Sequence, residues 1–529
     1  CPADPVAFSP QYHRVKVNVI TPMKIPACTW AIALLGAAAV PAPAAKPDSS
    51  SGSDPARPNI VFIMADDLGW GEIGCYGQQK IKTPNLDRLA GEGLRFLRHY
   101  TGAPVCAPAR CVLMTGRHLG HAEIRNNGDS KNGRKFPGQW PITAGAVTIA
   151  EALKNAGYAT GGFGKWGLGP TDTTGSPIRQ GFDRFYGYNC QRNAHSFFPP
   201  FLDDDEGIET INEKPVPGHQ RKPNGEIVAD DYRSETYAPD RILAEALEFL
   251  DANRDGPFFL YCPFVEPHVA MHPPREWVDR YPEKWDEEKG AYRGQNGYLP
   301  HPRPRAGYAA MISDLDEHVG AILKRLEKHG LVENTIVIFT SDNGTTHRSR
   351  DPKFGVGGVD ADFFNSTAGL WGFKGSVYEG GIRVPCIVRW PGVTPAATAT
   401  EVPSYFPDWF PTLCDIAGAK QPANLDGDTL VPLLRREKQS QKAFRRRKPM
   451  IWEFHGYRGQ LAVMEGRWKA VRQKVRTKQP DAWELYDLET DRAESSNLAK
   501  KHPDVLMRLE KAFLADRSKN KRYPLKLYE

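Results

Sequence analysis

Two carboxylates stand side by side at the end of an apolar run, Asn59-Ile-Val-Phe-Ile-Met-Ala65 followed by Asp66-Asp67. The pattern returns downstream, where Thr335-Ile-Val-Ile-Phe-Thr340 runs into Ser341-Asp342-Asn343-Gly344. Adjacent carboxylates each disfavour ionisation of the other unless a cation lies between them. One such pair reads equally well as a turn or a helix cap; two, each closing a strand-like run, point to a metal. All-oxygen ligands select a hard cation, and calcium tolerates an irregular set better than magnesium. Asp66, Asp67, Asp342 and Asn343 are the candidate ligands. Other chemistry-bearing residues also end strand-like segments: Lys165 after Tyr158 to Gly164, and Glu266, His268 and His272 after the apolar stretch Gly256 to Phe264.

The elements that must hold these residues alternate in type. Near-continuous apolar runs are the pattern of strands buried on both faces of a parallel sheet. Between them, Thr148-Ile-Ala-Glu151 starts a helix with a capping box and Gly157 stops it. A longer helix, Ala306 to His329, places Met311, Leu315, Val319, Ile322 and Leu326 on one face. This alternation predicts an α/β fold, a large doubly wound, mostly parallel sheet flanked by helices, whose ligands bind beyond the carboxyl ends of the strands. After Lys374, in the glycine-rich Gly372 to Pro385, a last strand at Val384 to Trp390 is expected to close the sheet. Beyond about Pro432 the pattern changes to a hairpin at Leu461 to Val471, a strand at Trp483 to Leu488 and a helix at Asp504 to Ala515, a smaller antiparallel sheet plus helix. The expected organisation is a catalytic domain over 58–431 and a C-terminal subdomain over 432–529.

Between the first two strands lies Val105-Cys106-Ala-Pro108-Ala-Arg110-Cys-Val-Leu-Met-Thr115-Gly116-Arg117. Cys-x-Pro-x-Arg with a Thr-Gly-Arg tail resembles the signature of the type I sulfatases of the alkaline phosphatase superfamily, in which the cysteine is oxidised to Cα-formylglycine. A hydrated aldehyde carries two hydroxyls on one carbon: one attacks sulfur, and the other later gives up its proton so that sulfate leaves. An ordinary serine lacks that second exit, and the split into two easier steps is the logic of covalent catalysis. If a helix starts at Cys106, Arg110 lies one turn below it with a fixed charge.

The resemblance extends from Pro58 to about Asn497, with the motifs in the family's order. It implies that Asp66, Asp67, Asp342 and Asn343 hold a calcium ion that also binds the formylglycine at position 106. It further implies that Arg110 and Lys165 steady the hydrate and the sulfate, that Lys374 binds sulfate or the ester oxygen, and that His268 protonates the leaving alcohol. Such roles suit sulfuryl transfer, which is mainly positioning and electrostatic stabilisation. Many relatives read Gly-Lys-x-His-Leu-Gly where this chain has Gly164-Lys165-Trp166-Gly167-Leu168-Gly169, so one histidine is missing; His118, His121, His195 and His272 are candidates to replace it. The loops carrying His121 and Arg125, and Arg192 and His195, are polar and aromatic and look similar to segments of carbohydrate-directed sulfatases. With His272 they are the expected substrate contacts, and a galactose or N-acetylgalactosamine sulfate is the expected substrate.

Composition is consistent with this. The chain of 529 residues is 40% hydrophobic and 25% charged, the balance of a soluble globular protein, and 49 Gly with 45 Pro imply many loops. The net charge of +6 is modest and suits anionic substrates rather than nucleic acid, and the run Arg435 to Lys448 reads as a solvated loop. Met23 to Ala45 reads as a secretory signal with a core too short to span a membrane, after an unassigned 1–22 and before a linker over 46–57. The expectation is an exported protein, periplasmic or extracellular, met by a formylglycine-generating maturation enzyme. Of nine cysteines, seven would follow the signal, in irregular spacing that permits disulfides without assigning any, and no CxxC suggests zinc. Two rivals remain: a phosphoester or phosphonate monoester hydrolase of the same superfamily, and an unmodified, inactive glycan-binding member.

Overall fold

The computed structural model describes residues 57–130, 138–347, 353–435, 444 and 446–529. The expected signal and its flanking segments up to 56, and most of the basic run, lie outside the described residues.

Ten strands form the main sheet: β1 (Asn59–Ala65), β2 (Leu94–Phe96), β3 (Ala159–Lys165), β4 (Arg184–Tyr188), β5 (Phe201–Asp204), β6 (Gly207–Thr210), β7 (Phe258–Pro263), β8 (Thr335–Ser341), β9 (Cys386–Arg389) and β10 (Thr398–Thr400). Their spatial order is β10-β2-β9-β8-β1-β7-β3-β4-β5-β6. The central run from β8 to β4 is parallel, while β9, β5 and β6 pair antiparallel. Side chains of β1 alternate between two cores: Ile60, Phe62 and Met64 enter one, Val61, Ile63 and Ala65 the other. Burial on both faces is why the run is apolar at every position, each large side chain contributing about 1.5–3 kcal/mol.

Helices cover both faces: α1 (Pro84–Gly91), α4 (Ala238–Ala252) and α5 (Pro304–Lys328) on one, α2 (Cys106–Thr115), α3 (Ile149–Asn155) and α6 (Trp409–Ala417) on the other. The α3 cap is the expected one, with Thr148 Oγ1 accepting from the Glu151 amide at 3.1 Å. In α5 the five apolar residues of the predicted face are all buried.

One strand expectation is corrected. Val384 to Trp390 is not one closing strand: Arg383–Val384 joins a separate small sheet with His99–Tyr100, while β9 enters the main sheet and is itself covered by β2 and β10. Pro385 separates the two pieces, since it has no N–H to continue a ladder.

The C-terminal sheet is β11 (Met450–Phe454), β12 (Gln460–Glu465), β13 (Trp468–Gln473) and β14 (Glu484–Asp487), antiparallel throughout, with α7 (Pro503–Ala515) on its outer face. Its inner face places Met450, Trp452 and Phe454 in the same core as α2. Here Lys469 is buried between Glu379 and Glu494, with Nζ 2.9 Å from each. Burial pushes the Glu494 carboxyl up to about 7, with Lys469 opposing the shift and Glu379 adding to it. Arg383 also reaches Glu379, at 3.3 Å, but Lys469 is the cation shared by both carboxylates, so Lys469→Met is expected to destabilise by about 3–5 kcal/mol, read as a lower urea midpoint; an unchanged midpoint would show that the pair ionises little in the native protein.

Candidate active site

Parallel pairing puts the two acidic strand ends together. Ala65 lies in register with Ser341, and the Asp342 amide donates to the Ala65 carbonyl at 3.0 Å. Asp67, in a left-handed conformation at φ 68°, turns back so that its amide donates to Asp342 Oδ1 at 3.2 Å. Asn343 Nδ2 donates to Asp67 Oδ1 at 2.8 Å. The loop after β7 is tied in by the Asp66 amide, which donates to the Glu266 carbonyl at 3.1 Å and brings His268 alongside. Helix α2 starts at Cys106, as the one-turn spacing to Arg110 requires.

The charged groups form one buried cluster. Cys106 Sγ lies 3.6 Å from Asp66 Oδ1. Arg110 Nη2 is 2.8 Å from Asp342 Oδ2 and 3.3 Å from Asp66 Oδ2, and Nη1 donates to the Lys165 carbonyl. Lys165 Nζ lies 2.6 Å from Asp66 Oδ2, and Lys374 Nζ 2.6 Å from Asp67 Oδ1. His268 Nε2 is 3.7 Å from Asp67 Oδ2. Asp66, Asp67, Asp342, Asn343, Cys106, Arg110, Lys165, His268 and Lys374 are all buried.

The electrostatics follow from that crowding. Burial alone would raise Asp66, but Lys165, then His268, Arg110 and Lys374, hold it well below the usual carboxylate range. Asp342 is pushed up to about 6 by burial and by repulsion from Asp66, against Arg110. Burial and Asp66 push the Cys106 thiol up to about 11, so an unmodified thiol would stay protonated at neutral pH. Asn343 Oδ1 is buried without a hydrogen-bond partner among the described residues, beside the three carboxylates. An orphaned amide oxygen beside three carboxylates fits a hard divalent cation, which binds through oxygen.

Hydrogen bonds also fix the imidazoles. A carbonyl only accepts, so His268 Nδ1 carries the proton it donates to Val269 O, leaving Nε2 toward Asp67. Burial, with Lys374 and Lys165, lowers the His268 pKa well below its ordinary value. His195 stacks on His268 with ring centroids 5.2 Å apart. The Tyr298 amide donates to His219 Nδ1 at 3.0 Å, so His219 Nε2–H donates to His195 Nδ1, also at 3.0 Å. His195 is thereby left with Nε2–H as its donor.

Other sequence candidates are engaged elsewhere. Arg125 pairs with Glu453 and donates to the Ala122 and Ser518 carbonyls. His121 Nδ1 lies 2.8 Å from Asp426 Oδ2, and His272 Nε2 donates to the Pro300 carbonyl at 2.9 Å. Of the four histidines weighed as replacements, His195 is the one stacked on His268. Arg192 lies near His219, whose pKa is lowered by burial and then by Arg192. His118, His121, Asp426 and Asp516 form a second group with metal-ligand geometry. There, however, His118 Nδ1 accepts from the Gly120 amide, which puts the proton on Nε2, and Arg117 and Lys448 already sit against the carboxylates. Missed from the sequence were His219, Tyr298, Gln191 and Tyr457. Tyr457, 56% exposed, shares a hydrogen bond with His347 and lies within electrostatic reach of Lys374 and Cys106. Gln191 lies in the polar loop of Arg192 and His195, though it was not picked out there, and the other three sit in no run or motif that singles them out.

An α/β sheet with a buried set of carboxylates and cations at the carboxyl ends of its strands, around a helix-starting cysteine, defines an enzyme for anionic esters. The Sulfatase family profile matches residues 58–419, and the chain belongs to that family. It is a sulfatase, a hydrolase of sulfate esters. The profile for the C-terminal region of N-sulphoglucosamine sulphohydrolase matches residues 369–519. Steryl-sulfatase of Mus musculus is 31% identical over 462 residues, 76% of this chain and 68% of that protein. N-acetylgalactosamine-6-sulfatase of Rattus norvegicus is 31% identical over 398 residues, 72% of this chain and 66% of that protein. The crystal structure of Ps i-CgsB matches with a TM-score of 0.66 at 26% identity, covering 86% of this chain and 91% of that one.

Proposed function

We propose that this sulfatase releases inorganic sulfate from a sulfated carbohydrate, with Cys106 converted to formylglycine and calcium held by Asp66, Asp67, Asp342 and Asn343. The observation that carries the reading is the placement of Cys106 at the start of α2, 3.6 Å from Asp66 and ringed by Arg110, Lys165 and Lys374. The hydrated aldehyde supplies a nucleophilic hydroxyl and a second one through which sulfate is expelled; the cation supplies fixed positive charge that favours the nucleophile's ionised form. Arg110 and Lys165 hold the reacting position and Lys374 binds the sulfate oxygens, each already in place before substrate arrives. Burial and then the lysine charges lower the His268 pKa; an anionic substrate opposes the lysine part, which favours a proton on Nε2 for transfer to the leaving oxygen.

A sugar substrate is supported by the exposed Tyr457 and by Trp371, 55% exposed, rings suited to sugar faces. It is supported also by relatives: Ps i-CgsB has been crystallised with k-i-k-neocarrahexaose, and the rat protein is named for N-acetylgalactosamine sulfate. We place the protein outside the cytoplasm, periplasmic or extracellular, with a formylglycine-generating enzyme as its maturation partner. The test is intact-mass analysis, in which conversion of the thiol to an aldehyde lightens the Cys106 peptide, combined with sulfate release from galactose and N-acetylgalactosamine sulfates. An unconverted Cys106, or turnover of aryl sulfates alone, would overturn the reading.

The acid role of His268 has its own test. A sugar alkoxide needs a proton on departure, whereas a nitrophenolate hardly does. His268→Ala is expected to lose about 10²–10⁴-fold on a sulfated sugar, the range for general acids, and much less on nitrophenyl sulfate. Parallel losses across leaving groups would reject the role in favour of simple sulfate binding.

A further inference from the structure

Gln191 follows β4 in the loop that leads to His195, and its side chain turns inward. It is 7% exposed, and neither Nε2 nor Oε1 has a hydrogen-bond partner among the described residues. Buried carboxamides normally satisfy both ends; Gln139 and Asn189 are also open at both atoms, so it is the place of Gln191 that sets it apart.

Gly167, two residues beyond Lys165, has φ 82°, and a Cβ there would lie 2.0 Å from Gln191 Nε2 and 3.8 Å from Ala107 Cβ. The carboxamide therefore occupies the space that any side chain at position 167 would fill, between the end of β3 and the first turn of α2. The Trp166 amide, donating to the Tyr188 carbonyl at 2.9 Å, locks that end of β3 to the strand from which the Gln191 loop departs. On the far side, the Ala107 amide is already satisfied by Asn127 Oδ1 at 3.0 Å, so it does not compete for the carboxamide. The neighbour of Ala107 is Cys106, whose thiol is a weak donor and a weak acceptor. Conversion of that thiol to a hydrated aldehyde would put two hydroxyls there, each a donor and an acceptor.

We propose that the Gln191 carboxamide hydrogen-bonds the hydrate at position 106, as a further catalytic residue on the nucleophile's side of the reaction. Oε1 accepts from a hydroxyl, and Nε2–H donates to an oxygen of the same group. The amide exchanges no proton: it orients the attacking oxygen and favours the hydrate over the free aldehyde. This rests on the formylglycine reading above.

The test compares wild type with Gln191→Met, which keeps an unbranched side chain of similar length and removes both hydrogen-bonding atoms. With conversion of Cys106 equal by intact mass and an unchanged melting temperature, kcat is expected to fall about 10–100-fold with KM within about twofold, the pattern of a contact made in the transition state. The loss should be the same for good and poor leaving groups, unlike that of His268→Ala. A readout without turnover is oxime formation by hydroxylamine at position 106, which consumes only the free aldehyde and should be faster in the variant. Gln191→His, which restores an N–H donor, should recover part of kcat. If Gln191→Met fails to fold, Gln191→Ala is read by the same measurements. Unchanged kcat and labelling rate in a fully converted variant would overturn the proposal alone; a wild type that carries no aldehyde would overturn it together with the formylglycine reading.

Discussion

Cys106→Ala is expected to abolish sulfate release while leaving the fold in place. The side chain removed is small, and a cavity of that size at the start of a helix costs about 1 kcal/mol, so the melting temperature should move by only a few degrees. The chemical loss is complete because the cluster holds no second nucleophile poised in the same place: Asp66, Asp67 and Asp342 are engaged by Lys165, Lys374 and Arg110. An unconverted thiol offers no substitute, since burial and Asp66 push it up to about 11. Cys106→Ser keeps one hydroxyl but lacks the second, and should stop after at most one sulfate per chain. Sulfate release and far-UV circular dichroism measured on the same samples decide the matter. Equal turnover by the alanine variant would sink the role given to Cys106 and leave the family's chemistry to be relocated.

Much of this centre was legible in the sequence because its residues sit where patterns end. Asp66-Asp67 and Asp342-Asn343 each follow seven-residue strands buried throughout, and burial on both faces forces the unbroken apolar run that marks the site's edge. Cys106 and Arg110 share a helix, so their spacing alone puts them one turn apart. What was not legible depends on contacts between distant segments. Arg125 and His121 read as polar loop residues suited to a substrate, yet their partners, Glu453 and Asp426, lie 328 and 305 residues away. The relay from Tyr298 through His219 to His195 joins three loops, and no local pattern encodes it. The outer strands β2 and β10 have three residues each, too few to show a period. The break at Pro385 shows the same limit: the proline was visible, but not that its two flanks belong to different sheets.

Asp342→Ala should lose both the metal and the activity. In the cluster Asp66, Asp67 and Asp342 face Arg110, Lys165 and Lys374, so their formal charges cancel. A divalent cation entering that set needs the carboxylates ionised, and its field would supply what Asp342 now lacks: burial and Asp66 push that carboxyl up to about 6. Removing Asp342 takes away one ligand and also leaves Arg110 with Asp66 as its remaining carboxylate partner, at 3.3 Å. The site then carries surplus positive charge and repels the cation on electrostatic grounds, beyond the lost bond. The thermodynamic signature follows from linkage. An ion that binds the native state alone stabilises it by about 2.7 kcal/mol at a hundred times its Kd. EDTA should therefore lower the melting temperature of the wild type and leave the variant's nearly unchanged. Metal analysis of both proteins, with melting curves in calcium and in EDTA, reads this directly. A variant that keeps its calcium, or that EDTA destabilises as much as the wild type, would place the ion somewhere other than between these two strand ends.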